Sequence, residues 1–234
     1  MKFRYFDLIL AAFAVCLVIS NIASTKTATL DLGFWKPIFD GGTFLFPITY
    51  IFGDVLTEVY GYQNARRVIW FGLGASVFSS LVFALVGVLP THDSSFTKGA
   101  FEQVLGFVPQ IALASIVAFF VGEFLNSYVL AKLKIRTSGQ FFAARAISST
   151  LVGQAADTVI FTGIAFGIGA NALPREVLVS IILTNYFYKV ALEVMLTPLT
   201  TLVVQVLKKH EGVNVFDHQT NFNPFAIGQK TQAT

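Results

Sequence analysis

Charged residues are scarce in this chain. Asp, Glu, Lys and Arg make up 12% of its 234 residues, whereas hydrophobic residues make up 55%. A soluble domain carries about 25% charged residues, so an ordinary soluble globular protein is excluded. The net charge of +3 does not indicate a nucleic-acid partner, because no face interleaves basic and aromatic side chains in the way such surfaces do.

Residues that perform catalysis or bind metals are also scarce. The single cysteine, Cys16, cannot form an internal disulfide. The three histidines, His92, His210 and His218, lie outside the apolar segments. Neither H-E-x-x-H nor G-x-S-x-G occurs in the sequence. We therefore expect no enzyme, no cofactor and no metal site.

Long apolar segments are what the chain does contain. A helix needs about 20 mostly apolar residues to cross the hydrocarbon core. Six segments qualify: Phe6–Ser24, Thr43–Tyr60, Val68–Leu89, Val108–Leu130, Ala143–Gly167 and Val177–Leu207. We predict an all-α integral membrane protein with six transmembrane helices in a domain of residues 1–210. Pro47, Gly53, Asp54 and Glu58 interrupt the second segment, which predicts either a broken helix or one packed against protein.

Lysines and arginines between these segments set the orientation. With the N-terminus in the cytoplasm, most of them fall on that side of the membrane: Lys2, Arg4, Arg66, Arg67, Lys132, Lys134, Arg136, Lys208 and Lys209. The positive-inside rule therefore predicts that both termini are cytoplasmic. The polar composition of residues 211–234 predicts a mostly disordered cytoplasmic tail.

Ionisable residues inside the apolar segments are the strongest functional signal. A charged side chain at the bilayer centre costs about 2.5–3.5 kcal/mol on insertion scales, so such residues usually face a cavity or a partner. There are six of them: Asp54, Glu58, Glu123, Asp157, Lys189 and Glu193. The sequence therefore predicts a polar cavity within the membrane.

Lys189 lies on the sixth segment, with Asn185 and Glu193 four residues away on either side. At this spacing the three side chains share one helix face. Lys189 and Glu193 could form a structural ion pair, or the polar stripe could line a ligand site and contain its own counter-ion. Both interpretations stay open at this point.

Asp157, on the fifth segment, has no basic residue within one turn. It must be protonated, paired with a residue of another helix, or bonded to a ligand. Asp54 and Glu58 are like charges on one face of the second segment, so one of them needs a proton or a cationic partner. Glu58 is close enough in sequence to pair with Arg66 or Arg67.

Several other polar side chains are expected to serve packing. Arg145 lies near the cytoplasmic end of the fifth segment, and we expect it to snorkel to the membrane surface. Asn126 is expected to join helices by hydrogen bonds. The polar residues of the third segment are mainly serines, which predicts a packing face or the face of a homo-oligomer.

A series of short motifs runs along the chain. They are 42–47 (Gly-Thr-Phe-Leu-Phe-Pro), Asp54, 59–61 (Val-Tyr-Gly), 65–67 (Ala-Arg-Arg), 149–151 (Ser-Thr-Leu), 157–158 (Asp-Thr) and 185–190 (Asn-Tyr-Phe-Tyr-Lys-Val). Their order and spacing resemble the queuosine precursor transporters of the vitamin-uptake type. The resemblance extends over about residues 5–207.

This resemblance implies a multi-pass carrier of the bacterial inner membrane. Its architecture would be similar to the substrate-binding components of energy-coupling-factor transporters. The implied substrates are 7-deazaguanine precursors of queuosine, such as preQ0 and preQ1, which are imported for tRNA modification. An alternative is a binding subunit for a vitamin or nucleobase that needs separate energy-coupling partners.

The chemistry of a 7-deazaguanine indicates which residues would bind it. The base presents an N–H and an amine to a carboxylate, a carbonyl to a donor, and a flat ring to aromatic side chains. The predicted substrate-binding residues are Asp157, Asp54, Lys189, Asn185, Gln154, Asn21, Phe46 and Tyr186. Glu58, Glu123 and Glu193 are predicted to carry protons or to form ion pairs.

Overall fold

The computed structural model describes residues 3–23, 26–29, 38–92, 99–105, 109–168, 172 and 174–226. Its helices are α1 (Phe6–Ala23), α2 (Phe46–Tyr60), α3 (Tyr62–Gly87), α4 (Ala100–Leu105), α5 (Pro109–Arg136), α6 (Phe142–Gly167) and α7 (Arg175–Glu211). Two short antiparallel strands, β1 (Thr27–Thr29) and β2 (Ile38–Asp40), and a 3-10 turn (Gly41–Phe44) precede α2.

Five helices in the described ranges are long and apolar enough to cross a membrane. They are α1, α3, α5 from Leu113 onward, α6 and α7. Their apolar residues are largely on the outside of the bundle, as expected where lipid rather than water surrounds the protein. The prediction of an all-α membrane protein is therefore confirmed at the level of its helical architecture.

The second predicted segment corresponds to α2, which has only 15 residues. At 1.5 Å per residue it extends about 22 Å, short of the roughly 30 Å of the hydrocarbon core. Residues 53–60 are all buried. The predicted interruption thus takes the form of a helix that starts late, at Phe46, and packs against protein along its second half.

Glu211 joins the beginning of the chain to the end of the bundle. Its carboxylate accepts the backbone N–H groups of Arg4 and Tyr5 at 2.8 and 2.7 Å. It also accepts the hydroxyl of Tyr60 at 2.9 Å. The start of α1 and the ends of α2 and α7 therefore lie together, at what is called the Glu211 end below.

Residues 212–226, called the C-terminal strap below, pack back onto the bundle and so differ from the predicted disordered tail. Asp217 is only 2% exposed. Its carboxylate accepts the backbone N–H of Tyr62 at 3.0 Å. The first N–H groups of a helix have no partner within that helix, so Asp217 caps α3. Burial raises the pKa of Asp217, whereas hydrogen bonds from Thr220 and Tyr62 oppose the shift.

Side chains of α3 hold the rest of the strap. Arg66 donates to the carbonyl groups of Asn221 and Asn223 at 2.8 and 2.7 Å. The ring of Phe222 lies 5.0 Å from that of Tyr62. Composition could not predict this segment, because its polar contacts use mainly backbone carbonyl groups and its apolar anchors are widely spaced.

Removal of the Asp217 carboxylate should destabilise the bundle. Asp217→Ala leaves the N–H of Tyr62 without its cap, and loss of a cap costs about 0.5–2 kcal/mol. We expect a lower melting temperature for the purified variant in detergent. Gln219→Ala, at an exposed strap position, is the matched control and should melt like the parent. Equal melting temperatures for both variants would contradict the capping role.

Candidate functional site

Side chains from the middle parts of four helices share one polar region. Its members, called the central polar cluster below, are Tyr50, Asp54, Glu123, Asn126, Asp157, Lys189 and Glu193. Glu123 interacts electrostatically with Glu193 and Asp157. Asp54 interacts with Glu193, and Tyr50 interacts with Asp157. Helices α2, α5, α6 and α7 therefore direct their ionisable groups to a common place.

Two glycines allow α5 and α6 to approach closely beside this cluster. A Cβ added to Gly122 would lie 2.8 Å from the Asp157 Cβ and 3.0 Å from the Gly153 carbonyl oxygen. A Cβ added to Gly153 would lie 2.8 Å from the Asn126 Cβ. Small residues at such contacts are typical of membrane helix pairs. Sequence reasoning missed them, although each directly precedes a buried polar residue, Glu123 or Gln154.

Asp157 and Lys189 form an ion pair between α6 and α7. The Lys189 Nζ donates to the Asp157 Oδ2 at 2.6 Å. Three states were predicted for Asp157: protonated, paired with another helix, or bonded to a ligand. In the structure it is paired with a residue of another helix. Lys189 accordingly pairs with Asp157 rather than with Glu193, its neighbour on the same helix.

The other acids of the cluster have unpaired oxygen atoms. Asp54 accepts the side-chain amide of Asn126 at 2.8 Å on one oxygen. Within the described part of the chain, its second oxygen, both oxygens of Glu123 and one oxygen of Glu193 have no hydrogen-bond partner. The three side chains are at most 1% exposed. Unpaired and buried carboxyl groups of this kind are rare in structural roles.

A stripe of buried polar residues on α6 continues from the cluster. Its members recur every four residues: Thr150, Gln154, Thr158 and Thr162. Each has a side-chain oxygen that lacks a hydrogen-bond partner among the described residues. The sequence signal was available, because a spacing of four puts all of them on one helix face. Only Gln154 was predicted.

The remaining predicted binding residues are less closely connected to the cluster. Asn21 donates to the Ser76 hydroxyl at 3.3 Å and accepts that of Ser115 at 3.2 Å, so it joins α1 to α3 and α5. Tyr186 donates to the Leu151 carbonyl at 3.3 Å. Asn185 is half-buried. The side chain of Phe46 lies outside the described residues.

Glu58 lies one turn beyond Asp54 on α2, towards the Glu211 end, where three cations surround it. This group, called the Glu58 ion cluster below, consists of Glu58, Lys134, Arg145 and Lys208. Arg145 makes two hydrogen bonds to the Glu58 carboxylate, at 2.6 and 3.1 Å. Lys208 is 2.5 Å from it, and Lys134 is 3.7 Å away. Glu58, Lys134 and Arg145 are at most 2% exposed.

The Glu58 ion cluster corrects two predictions. Glu58 does not pair with Arg66 or Arg67, because Arg66 is engaged by the C-terminal strap. Arg145 does not snorkel to the surface, because the buried Glu58 carboxylate binds its guanidinium group. In both cases the observed partner of opposite charge lies on a helix that is distant in the sequence. Glu58 was predicted either to carry a proton or to form an ion pair, and in the structure it forms ion pairs.

Comparison with known families now identifies the group to which the chain belongs. The family described as "Putative vitamin uptake transporter" matches residues 40–203. The chain belongs to this family. The family match confirms the resemblance predicted from the motifs, and it includes every member of the central polar cluster. The chain is accordingly a multi-pass membrane transporter and not an enzyme.

Three bacterial proteins are similar to the chain. The chain is 32% identical over 184 residues to the "Probable queuosine precursor transporter" of Bacillus subtilis (strain 168), covering 77% of this chain and 76% of the relative. It is 28% identical over 169 residues to the "Queuosine precursor transporter" of Escherichia coli (strain K12), covering 72% and 74%. It is 28% identical over 170 residues to the "Probable queuosine precursor transporter" of Haemophilus influenzae (strain ATCC 51907 / DSM 11121 / KW20 / Rd), covering 71% and 68%. No solved structure gives a significant match.

Neutralising Glu58 should destabilise the transporter strongly. Glu58→Gln leaves Arg145 and Lys134 buried without their counter-charge, and breaking a buried pair in this way costs about 3–5 kcal/mol. We expect a much lower melting temperature and a smaller yield of folded protein. Glu176→Gln, at an exposed position in the first turn of α7, serves as the control. A Glu58→Gln variant as stable as this control would show that the ion cluster is dispensable.

Proposed function

We propose that this transporter imports 7-deazaguanine precursors of queuosine, such as preQ0 and preQ1, and binds them in an intramembrane polar site. The names of the three relatives support this class of substrate. The observation that carries the proposal is the Asp157–Lys189 ion pair at the edge of a buried polar cluster.

The ion pair matches one edge of the base. That edge presents an amine, a ring N–H and a carbonyl oxygen side by side. A carboxylate accepts the first two groups, and an ammonium group donates to the third. The two side chains of the pair lie on neighbouring helices, with their charged atoms 2.6 Å apart. One base edge can therefore engage both of them.

Accessibility also favours the pair as the docking position. The side chains of Asp157 and Lys189 are 10% and 20% exposed. Asp54 and Glu123 are fully buried. A ligand that enters the bundle would therefore meet the ion pair before the other acids. The unpaired oxygens of the α6 stripe would supply further hydrogen bonds to a polar ligand or to water.

The other predicted residues complete the proposed site. We expect contacts to the base from Gln154, Asn185, Tyr186, Phe46 and Asp54. Asn21 has the weakest support, because its amide group already joins three helices. A flat aromatic surface beside the ion pair would hold the ring of the base.

We further propose that the Glu211 end faces the cytoplasm of a bacterial cell, with the protein in the inner membrane. Basic side chains concentrate at this end, among them Arg4, Arg66, Lys134, Arg145 and Lys208. The positive-inside rule supports this orientation. Both termini would then be cytoplasmic.

The proposal predicts that the purified protein alone takes up a labelled 7-deazaguanine in proteoliposomes. Asp157→Asn should reduce this uptake at least about tenfold, because loss of one partner of a desolvated charge pair costs 2 kcal/mol or more. The double variant Asp157→Asn with Lys189→Met keeps the pair neutral, and it should fold normally and be equally inactive. Glu176→Gln is the control with unchanged uptake.

Two outcomes would change this conclusion. Full uptake by Asp157→Asn would remove the ion pair from the binding site. Uptake that requires added energy-coupling proteins would instead support the alternative of a substrate-binding subunit.

A further inference from the structure

The charges of the central polar cluster do not balance within the described residues. The cluster contains the carboxyl groups of Asp54, Glu123, Asp157 and Glu193, but Lys189 is its one cation. Asp157 and Lys189 neutralise each other. Asp54, Glu123 and Glu193 remain, each at most 1% exposed.

Burial and missing partners indicate the charge state of these three acids. An ionised carboxylate in an apolar interior needs ion pairs or several hydrogen bonds, and otherwise it takes up a proton. Glu123 has no hydrogen-bond partner for either oxygen among the described residues, and Asp54 and Glu193 have one unpaired oxygen each. In the part of the chain that the structure describes, the buried side-chain oxygen of Asn126 also lacks a hydrogen-bond partner. The cluster therefore lacks positive charge that a cation from outside would supply.

A proton fits this deficit better than a metal ion does. A metal ion needs several ligands that converge on one point. No group of three or more His, Cys, Asp or Glu side chains in the described ranges has such an arrangement. A proton needs only one carboxylate oxygen.

We propose that Glu193 is the proton carrier of the transport cycle and that import of the base is coupled to inward movement of a proton. This inference rests on the proposed function. Glu193 lies one helical turn from Lys189 on α7, a spacing at which opposite charges pair readily. When Glu193 is protonated, the Lys189 ammonium group binds Asp157 and the base. When Glu193 is ionised, its carboxylate competes with them for Lys189.

The competition gives a balanced cycle. A proton from outside neutralises Glu193, and the base binds Asp157 and Lys189. When the site opens inward, Glu193 releases the proton to cytoplasmic water and its carboxylate attracts Lys189. The base then loses the donor to its carbonyl oxygen and leaves. One proton and one base enter per cycle.

The groups around Glu193 determine which cation its carboxylate can attract. The titratable groups that face it are Tyr50 and Asp54 on α2 and Glu123 on α5. Asp157 on α6 interacts with Glu123 and forms an ion pair with Lys189. These groups include no second cation among the described residues, so Lys189 is the partner that an ionised Glu193 would draw.

The test uses the full chain in proteoliposomes, a labelled 7-deazaguanine and a trapped pH indicator. With the membrane potential held at zero and the outside one pH unit more acidic, one proton per base allows up to about tenfold accumulation, since one pH unit is a factor of ten in proton activity. We expect accumulation, internal acidification that depends on the base, and loss of both with a protonophore. Glu176→Gln should behave like the parent.

The decisive variant is Glu193→Gln, which resembles the protonated acid. It should lose accumulation and base-dependent acidification, while it still exchanges labelled for unlabelled base across the membrane. Glu193→Met, which also removes the ionisable group, provides a second variant if Glu193→Gln does not fold, and it should show the same loss of coupling. Accumulation by either Glu193 variant, or accumulation driven by sodium, would overturn the assignment to Glu193.

The parent protein separates failure of this inference from failure of the proposed function. If the parent equilibrates the base but never accumulates it against a gradient, proton coupling is wrong and import stands. If the parent does not move the base under any gradient, the proposed function is wrong.

Discussion

An ionised side chain inside a membrane needs an opposite charge or a proton, and this requirement governs how the bundle is arranged. Towards the Glu211 end, Glu58 meets more positive charge than it can neutralise, from Lys134, Arg145 and Lys208. In the central polar cluster the imbalance is reversed, with acids in excess. The first arrangement fixes helices to one another. The second has more acids than cations among the described residues, which suits the proposed binding and coupling site.

Close helix packing is what concentrates the acids. Gly122 and Gly153 bring the backbones of α5 and α6 together, so that Glu123, Asn126 and Asp157 lie side by side. Helix α7 then adds Lys189, which is partly exposed, and Glu193, which is buried. The contact between α5 and α6 also shields the polar side chains of each helix from lipid. Polar residues can therefore be accommodated in otherwise apolar helices.

Hydropathy and charge spacing were sufficient to predict much of this architecture. The apolar segments corresponded to long helices, and the interruption at Pro47 to the short α2. The intramembrane ionisable residues could be recognised from the sequence, because their cost depends only on local composition. Their partners depended on which helices touch, and neither Arg145 with Glu58 nor Lys189 with Asp157 follows from spacing along one helix. The C-terminal strap was not predicted, because the Asp217 carboxylate is 155 residues away from the Tyr62 amide that it caps.

That separation has a consequence for biosynthesis. The Tyr62 amide is synthesised long before Asp217 emerges from the ribosome. The hydrogen bond between them at the junction of α2 and α3 therefore forms only after all later helices have entered the membrane. Formation of the hydrogen bond between Asp217 and Tyr62 is therefore among the last events in folding. Fusions or truncations at the C-terminal end would act on an early part of the chain, and a defect there would affect protein abundance as well as transport rate.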